Sequence, residues 1–347
     1  MPKYRDNLPQ LGDRLFLTDG GIETTLIFQE GWELPEFAAF HLLKTSNGEA
    51  ALRKYFRTYA EIATRLGTGL VLESATWRAS LDWGRKIGYG SDELVHANRR
   101  AIRILEETRD EFGTERTPMV ISGCVGPRGD GYVPGVAMSP GEAESYHAQQ
   151  IEVFANSAAD MVCAVTMNYV EEAIGVVQAA RRAGMPVAIS FTVETDGSLP
   201  TGQTLKSAVE HVDAETSGYA SYFGINCAHP SHFEHALAGN DGWLQRIGAL
   251  RANASTKSHA ELNESTELDS GDPVGLAEDY GRLQKQLARL NVMGGCCGTD
   301  HRHIERIGET CSKLFHTATD QIRGAGAPAV AASPMRIQQF EGRNDNA

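Results

Sequence analysis

The sequence predicts a single-domain α/β protein built as a (β/α)8 barrel, on three observations. Short apolar, β-rich runs alternate with stretches of helical periodicity, eight times in succession. The chain has 347 residues, and such barrels often run past about 250 residues as one domain. No linker-like change of composition and no repeat beyond the β/α alternation interrupts the pattern.

Taken in order, the strands are expected at Leu15–Thr18, Gly69–Leu72, Met119–Ser122, Met161–Val165, Val187–Phe191, Tyr222–Asn226, Leu250–Ala254 and Val292–Gly294. Each is a short run without helical spacing. The helices between them are expected at Gly48–Leu66, Ser91–Phe112, Ser139–Ala158, Val170–Ala183, Thr204–Ala214, Ser231–Ile247, Asp272–Leu290 and His301–Lys313. Ser139-Pro140 and Asp272-Pro273 are sound starts, placing a capping side chain before a first-turn proline. The seventh strand is short and runs into Ser255–Gly271, a polar, acidic stretch that reads as a long surface loop. The barrel is assigned to residues 1–320 and a partly disordered C-terminal extension to 321–347.

Composition excludes several classes. An apolar fraction of 41% and 36 glycines suit a globular α/β protein with a full core. The net charge of −13, without any Lys/Arg-rich block, argues against a nucleic-acid partner. No apolar stretch approaches the roughly 18 residues that a membrane span needs. Met1 to Pro9 has no apolar core of a secretion signal, so the expectation is a cytoplasmic protein. Six cysteines then read as reduced thiols rather than a disulfide framework.

The chemistry concentrates at predicted strand ends. Cys227 ends strand six, and Cys296-Cys297 end strand eight. In a barrel the C-terminal strand ends form the active face, so three thiols would meet at one mouth. Three soft sulfur ligands suit Zn²⁺ with a fourth position open. Buried cysteines also serve as small apolar residues, which is the preferred reading of Cys124, Cys163 and Cys311. For the trio, Gly294-Gly295 before and Gly298 after the pair are expected to permit unusual backbone angles at adjacent ligands.

Asp19-Gly20-Gly21 follows strand one. It is either a plain turn with a capping Asp, or a place where the backbone approaches a ligand and offers N–H groups to a carboxylate. Gly123–Tyr132 is a glycine-rich loop able to shape a pocket, without the spacing of a phosphate-binding loop. Trp77 is either a pocket wall able to stack on a methyl-onium cation, or core. His229, His232, His235, His301 and His303 read as exposed or capping residues, not as a ligand cluster.

Together these segments resemble the homocysteine-binding domain of the homocysteine S-methyltransferase family over about residues 14–312. The anchors are Asp19-Gly20-Gly21, Gly126-Pro127, Ser190-Phe191-Thr192, Gly224-Ile225-Asn226-Cys227 and Gly294-Gly295-Cys296-Cys297-Gly298-Thr299. The resemblance implies a (β/α)8 barrel, Zn²⁺ bound by Cys227, Cys296 and Cys297, and contact of Asp19 with the thiol substrate. It also implies methyl transfer from a small-molecule donor to a thiol acceptor, foremost homocysteine, giving methionine. Asn226 matches the Asn that precedes the first zinc cysteine. With Gly20, Gly21 and Trp77 from the residues themselves, the expected substrate-binding set is Asp19, Gly20, Gly21, Trp77 and Asn226.

No length is left over for folate, cobalamin or reactivation domains, so a direct sulfonium or betaine-type donor is expected. A homo-oligomer is compatible with the sequence. The chain departs from the family pattern once. Where the family carries an acidic residue that holds the amino group, this chain reads Cys163-Ala164-Val165-Thr166-Met167-Asn168, with Val165 in that place. Either Glu73, Glu23 or Asp19 compensates, or the acceptor is a different thiol. From other classes, a zinc-dependent hydrolase would want His or Asp ligands, and no strand ends in His-x-His. A non-catalytic zinc barrel would close the fourth position with a protein ligand.

Overall fold

A computed structural model of the protein describes residues 1–239 and 241–324, with side chains described through residue 315. Among the described residues, eight strands close into a barrel in chain order. They are β1 (Phe16–Leu17), β2 (Gly69–Glu73), β3 (Met119–Val125), β4 (Met161–Met167), β5 (Val187–Phe191), β6 (Tyr222–Asn226), β7 (Ile247–Ala252) and β8 (Val292–Gly295). Every neighbouring pair is parallel, and β1 closes the ring on β8 through Phe16↔Val292 and Leu17↔Met293. Strands buried on both faces have no polar side to show, which is why they stand out in the sequence as apolar runs.

The principal helices are α1 (Ser46–Leu66), α2 (Ser91–Phe112), α3 (Pro140–Ala155), α4 (Val170–Arg182), α5 (Leu205–Thr216), α6 (His259–Asn263), α7 (Pro273–Gln286) and α8 (His301–Gly324). Their starts have chemical reasons. Thr45 accepts from the Gly48 N–H, Thr204 from Ser207 and Asp272 from Val274, while Ser139 and Glu142 form a capping box before α3. Gly67, at φ 68°, ends α1 in the left-handed conformation that glycine tolerates best.

Two expectations are corrected. The segment 231–247 is not one helix but a turn of α-helix at Pro230–Phe233 followed by 3-10 turns at Glu234–Leu237 and Gly242–Arg246. Gly239 takes φ 117°, outside any helix, and a second glycine follows at 242. As a result β7 starts at Ile247, three residues before the expected Leu250. The stretch 255–271 is not all loop, because Ser258 and Glu261 form a capping box that starts α6. The assigned boundary at residue 320 falls inside α8, which reaches Gly324, and the rest of the expected extension, 325–347, lies outside the described residues.

Inside the barrel, Phe16, Val71, Val120, Met161, Ala188, Tyr222, Ala249 and Val292 fill the space below the C-terminal mouth, with Leu8 underneath. The opposite end is plugged by the N-terminal segment. Asp160 accepts from the backbone N–H of Lys3 and Tyr4 at 2.6 and 2.7 Å, from Ile121 at 2.9 Å and from Arg109 Nη1 at 3.0 Å. Four donors on one fully buried carboxylate make a charge that is stable where it sits and costly to disturb. No helix among the described residues is long and apolar enough to cross a membrane.

Asp160→Ala would strand the Arg109 guanidinium and three N–H groups. It is expected to cost about 3–5 kcal/mol in denaturant unfolding, against well under half of that for an exposed pair such as Arg57–Glu111.

Candidate metal centre

Cys227 follows β6 and Cys296-Cys297 follow β8, with β7 between them. The three Sγ atoms lie within 4.8 Å of one another. A tetrahedral ion with Zn–S bonds of about 2.3 Å needs sulfurs about 3.8 Å apart, a separation that falls inside the span enclosing the three. The donor set fits as well: three soft sulfurs, joined by no His, Asp or Glu among the described residues. The expectation that all six cysteines stand as free thiols is corrected. Cys227 and Cys296, with Cα atoms 5.4 Å apart, are joined as a disulfide, and Cys124, Cys163, Cys297 and Cys311 are free. Side chains aimed at one ion position converge closely enough for two sulfurs to bond directly.

The role expected of the glycines also changes. Neither Gly294 nor Gly295 has a positive φ; in the trio the left-handed residue is Cys227 itself, at φ 56°, and Gly298 follows the pair at φ 79°. The Gly pair is required by space. A Cβ on Gly294 would strike Thr18 Oγ1, and one on Gly295 would strike Thr299 Oγ1. Gly21 likewise presses against the Cys296 carbonyl, and Gly20 against Thr299, whose carbonyl oxygen a Cβ would meet at 2.8 Å. Close packing lets backbone bonds tie the two turns together: Gly295 N–H to Asp19 O at 2.9 Å and Gly21 N–H to Thr299 O at 3.0 Å. The Gly21 N–H, expected to be open to a carboxylate, is thus already used.

Asn226 holds two strained tips. It accepts from the Thr166 N–H at 2.9 Å and donates to Thr166 Oγ1 at 2.9 Å and to Cys227 Sγ at 3.2 Å. Thr166 sits at φ 62°, so Asn226 braces two left-handed non-glycine residues, each costing about 1–3 kcal/mol.

One pocket, about 630 Å³ with its open mouth, takes in the trio together with Asp19, Gly20, Gly21, Trp77 and Asn226. Glu23, Glu73, Cys124, Tyr132, Val165 and Arg251 also line it. Asp19 has both oxygens engaged, Oδ1 by Arg251 Nη2 at 2.5 Å and Oδ2 by the Tyr55 hydroxyl at 3.0 Å. Burial nevertheless pushes its carboxyl above the ordinary range, with Arg251 opposing. Burial raises Glu23 and Glu73 to about 7 and the Cys297 thiol to about 11. A sulfur so hard to ionise becomes a thiolate when a cation takes the proton's place.

Trp77 carries the Arg78 guanidinium 3.8 Å from its ring centre, and Trp83 holds the same group at 3.5 Å, so one face of Trp77 is already committed to a cation. Over the trio, the Tyr132 hydroxyl lies 3.8 Å from Cys297 Sγ. The Tyr132 ring packs on His259, at 4.2 Å between centroids, and His259 Nε2 bonds to Cys227 O at 2.5 Å.

Sequence reasoning missed Arg251, Tyr55 and His259, and reached Tyr132 only as the end of the glycine-rich loop. Arg251 alone left a signal, as the single charge in an otherwise apolar strand. Of the other histidines, His303 caps, accepting from the Asp300 N–H, but it is fully buried rather than exposed. His229 caps the turn at Pro230, His232 is buried against Thr256 O, and His235 and His301 are exposed.

Residues 16–311 match the sequence pattern of the family described as homocysteine S-methyltransferase. The chain belongs to that family. It is similar to rat betaine–homocysteine S-methyltransferase 1, at 28% identity over 69% of this chain and 60% of the rat enzyme, so the match spans less than two thirds of that protein. It is also similar to maize homocysteine S-methyltransferase 4, at 22% identity over 84% of this chain and 87% of the maize protein. In fold it is similar to the homocysteine methyltransferase MmuM of Escherichia coli, whose oxidized form superposes with a TM-score of 0.66 at 18% identity, over 88% of this chain and 98% of that one.

Asn226→Ala is expected to lower the trio's affinity for an added metal ion roughly 10- to 100-fold, as loss of a ligand-orienting group does, measured by competition with a chromophoric chelator. A second expectation concerns pH. Glu73 has its folded pKa raised from 4.5 to about 7, so the fold favours its neutral form, and the stability this contributes is present below the unfolded value and lost as pH rises through about 7. Thermal melts of Glu73→Gln should therefore exceed the parent by more at about pH 8 than at about pH 5.

Proposed function

We propose that this protein is a zinc-dependent S-methyltransferase that moves a methyl group from a sulfonium or betaine-type donor to a thiol, with homocysteine as the acceptor and methionine as product. The observation that carries the reading is the meeting of Cys227, Cys296 and Cys297 at the edge of a pocket, with no His, Asp or Glu joining them among the described residues. Family membership supplies the reaction class. The relatives support the acceptor, since homocysteine appears in the names of the rat, maize and E. coli proteins, and the last is also known in a metallated form.

Zinc bound there would supply an open coordination position at which an acceptor thiol loses its proton and stays electron-rich beside three thiolates. The chain's own residues do the rest. Asn226 and the left-handed Cys227 set the direction of the first sulfur, while the contacts of Gly294 with Thr18 and of Gly295 with Thr299 set that of the other two. Tyr132 and His259 cover the trio from the side of β3 and α6, excluding water from the nucleophile. Trp77 and Val165 give the pocket an apolar wall against which a methyl group can be held in line. In the transfer the acceptor sulfur's electron pair forms the new S–CH3 bond as the bond from methyl to the donor's onium centre breaks, its electrons staying on that centre, which becomes neutral. A reducing compartment such as the cytoplasm would keep all three cysteines available as ligands.

The donor set weighs against a hydrolase, since an all-sulfur site is a weak Lewis acid beside one of histidines. Cys296→Ser and Cys297→Ser are expected to lose stoichiometric zinc and to lose methyl transfer to background, by metal analysis and product mass spectrometry. Chelation should abolish the parent's activity and added Zn²⁺ restore it. A Cys296→Ser protein with full zinc and full activity would end this reading.

A further inference from the structure

The geometry points to Glu73 as the receptor for the positively charged group of the thiol acceptor, an inference that rests on the methyltransferase reading above. Glu73 ends β2 and faces into the pocket that the three sulfurs border. It is 6% exposed, and its Oε2 has no hydrogen-bond partner among the described residues. Arg251 and Asp19 are the charges that act on it, and its contacts with Ser122 and Cys163 are to uncharged groups. An orphaned carboxylate oxygen at a pocket wall is costly unless a cation arrives to meet it.

The other candidates for that task are spent or unsuited. Asp19 is held on both oxygens by Arg251 and Tyr55. Val165 presents only methyl groups, and Glu23 is half-buried, following the Gly20-Gly21 turn rather than ending a strand. Arg251 is itself engaged, by Asp19 and by the Gly295 carbonyl.

The order of the ring adds a geometric constraint. With eight strands closed in sequence, β2 stands opposite β6, so Glu73 lies across the mouth from Cys227. An acceptor that gives its sulfur to the trio and its cationic group to Glu73 must span the mouth, which selects thiols with an ammonium a few bonds from sulfur. Val165 then no longer speaks against an amino-acid thiol, because the carboxylate has been supplied from β2 instead of β4.

The test compares zinc-loaded parent and Glu73→Gln with two acceptors: homocysteine and its des-amino analogue γ-mercaptobutanoate. For the parent, homocysteine should show the lower KM. Glu73→Gln should raise the KM for homocysteine roughly 10- to 100-fold with a much smaller change in kcat, and should leave the des-amino thiol unaffected. Adding Val165→Glu to Glu73→Gln should restore part of the homocysteine affinity. Equal losses for both thiols at unchanged zinc content, or a parent that uses both thiols equally well, would overturn the role of Glu73 while leaving methyl transfer standing. Should the Gln variant fail to hold zinc, the parent's ratio between the two thiols decides by itself. A parent that methylates no thiol sinks the underlying reading, and this inference with it.

Discussion

Two strands that share no hydrogen bond, β6 and β8, have to bring sulfur to one point, and the tight contact between the end of β8 and the turn after β1 is what makes that meeting happen. Gly294 and Gly295 lie so close to Thr18 and Thr299 that no side chain could be added. The same contact lets Gly295 donate to Asp19 O and Gly21 to Thr299 O. Barrel closure and ligand placement are therefore one interaction. β1 contributes only two residues to the sheet, so the seam relies on these turn contacts as much as on its strand ladder.

The charges at the mouth follow from the same crowding. Asp19 can be placed against the cysteine turn because Arg251, from the tip of β7, neutralises it there. With that pair closed on itself, the pocket offers its remaining acidity through Glu23 and Glu73, both shifted by burial into the neutral range. Such a lining is compatible with a positively charged group on an acceptor or a donor. It gives an anion little to hold, beyond what Arg251 has to spare.

The barrel was legible because parallel strands buried on both faces must be apolar, and because each is cut off by a turn or a cap with a chemical signature. The cysteine trio was legible for a topological reason: strand ends of one barrel share a mouth. Other features depend on distances between segments that sequence spacing does not encode. The Gly pair before Cys296 looked like a device for backbone angles and is a device for close approach, a distinction that requires knowing that Thr18 is the neighbour. His259 lay in a stretch that reads as surface, and it reaches the Cys227 carbonyl only because β7 places that insert over the mouth. The helix expected at 231–247 failed because the glycines at 239 and 242 outweighed the apolar spacing around them.

Cys227 and Cys296 stand 69 residues apart in sequence. Whatever joins them, sulfur to sulfur or through a shared ion, turns the chain between them into a tethered loop anchored at both ends. Lengthening such a loop costs entropy only as the logarithm of its size, roughly 0.6 kcal/mol per doubling. Residues added to the insert between β7 and α7 would therefore cost little while the anchor points hold still.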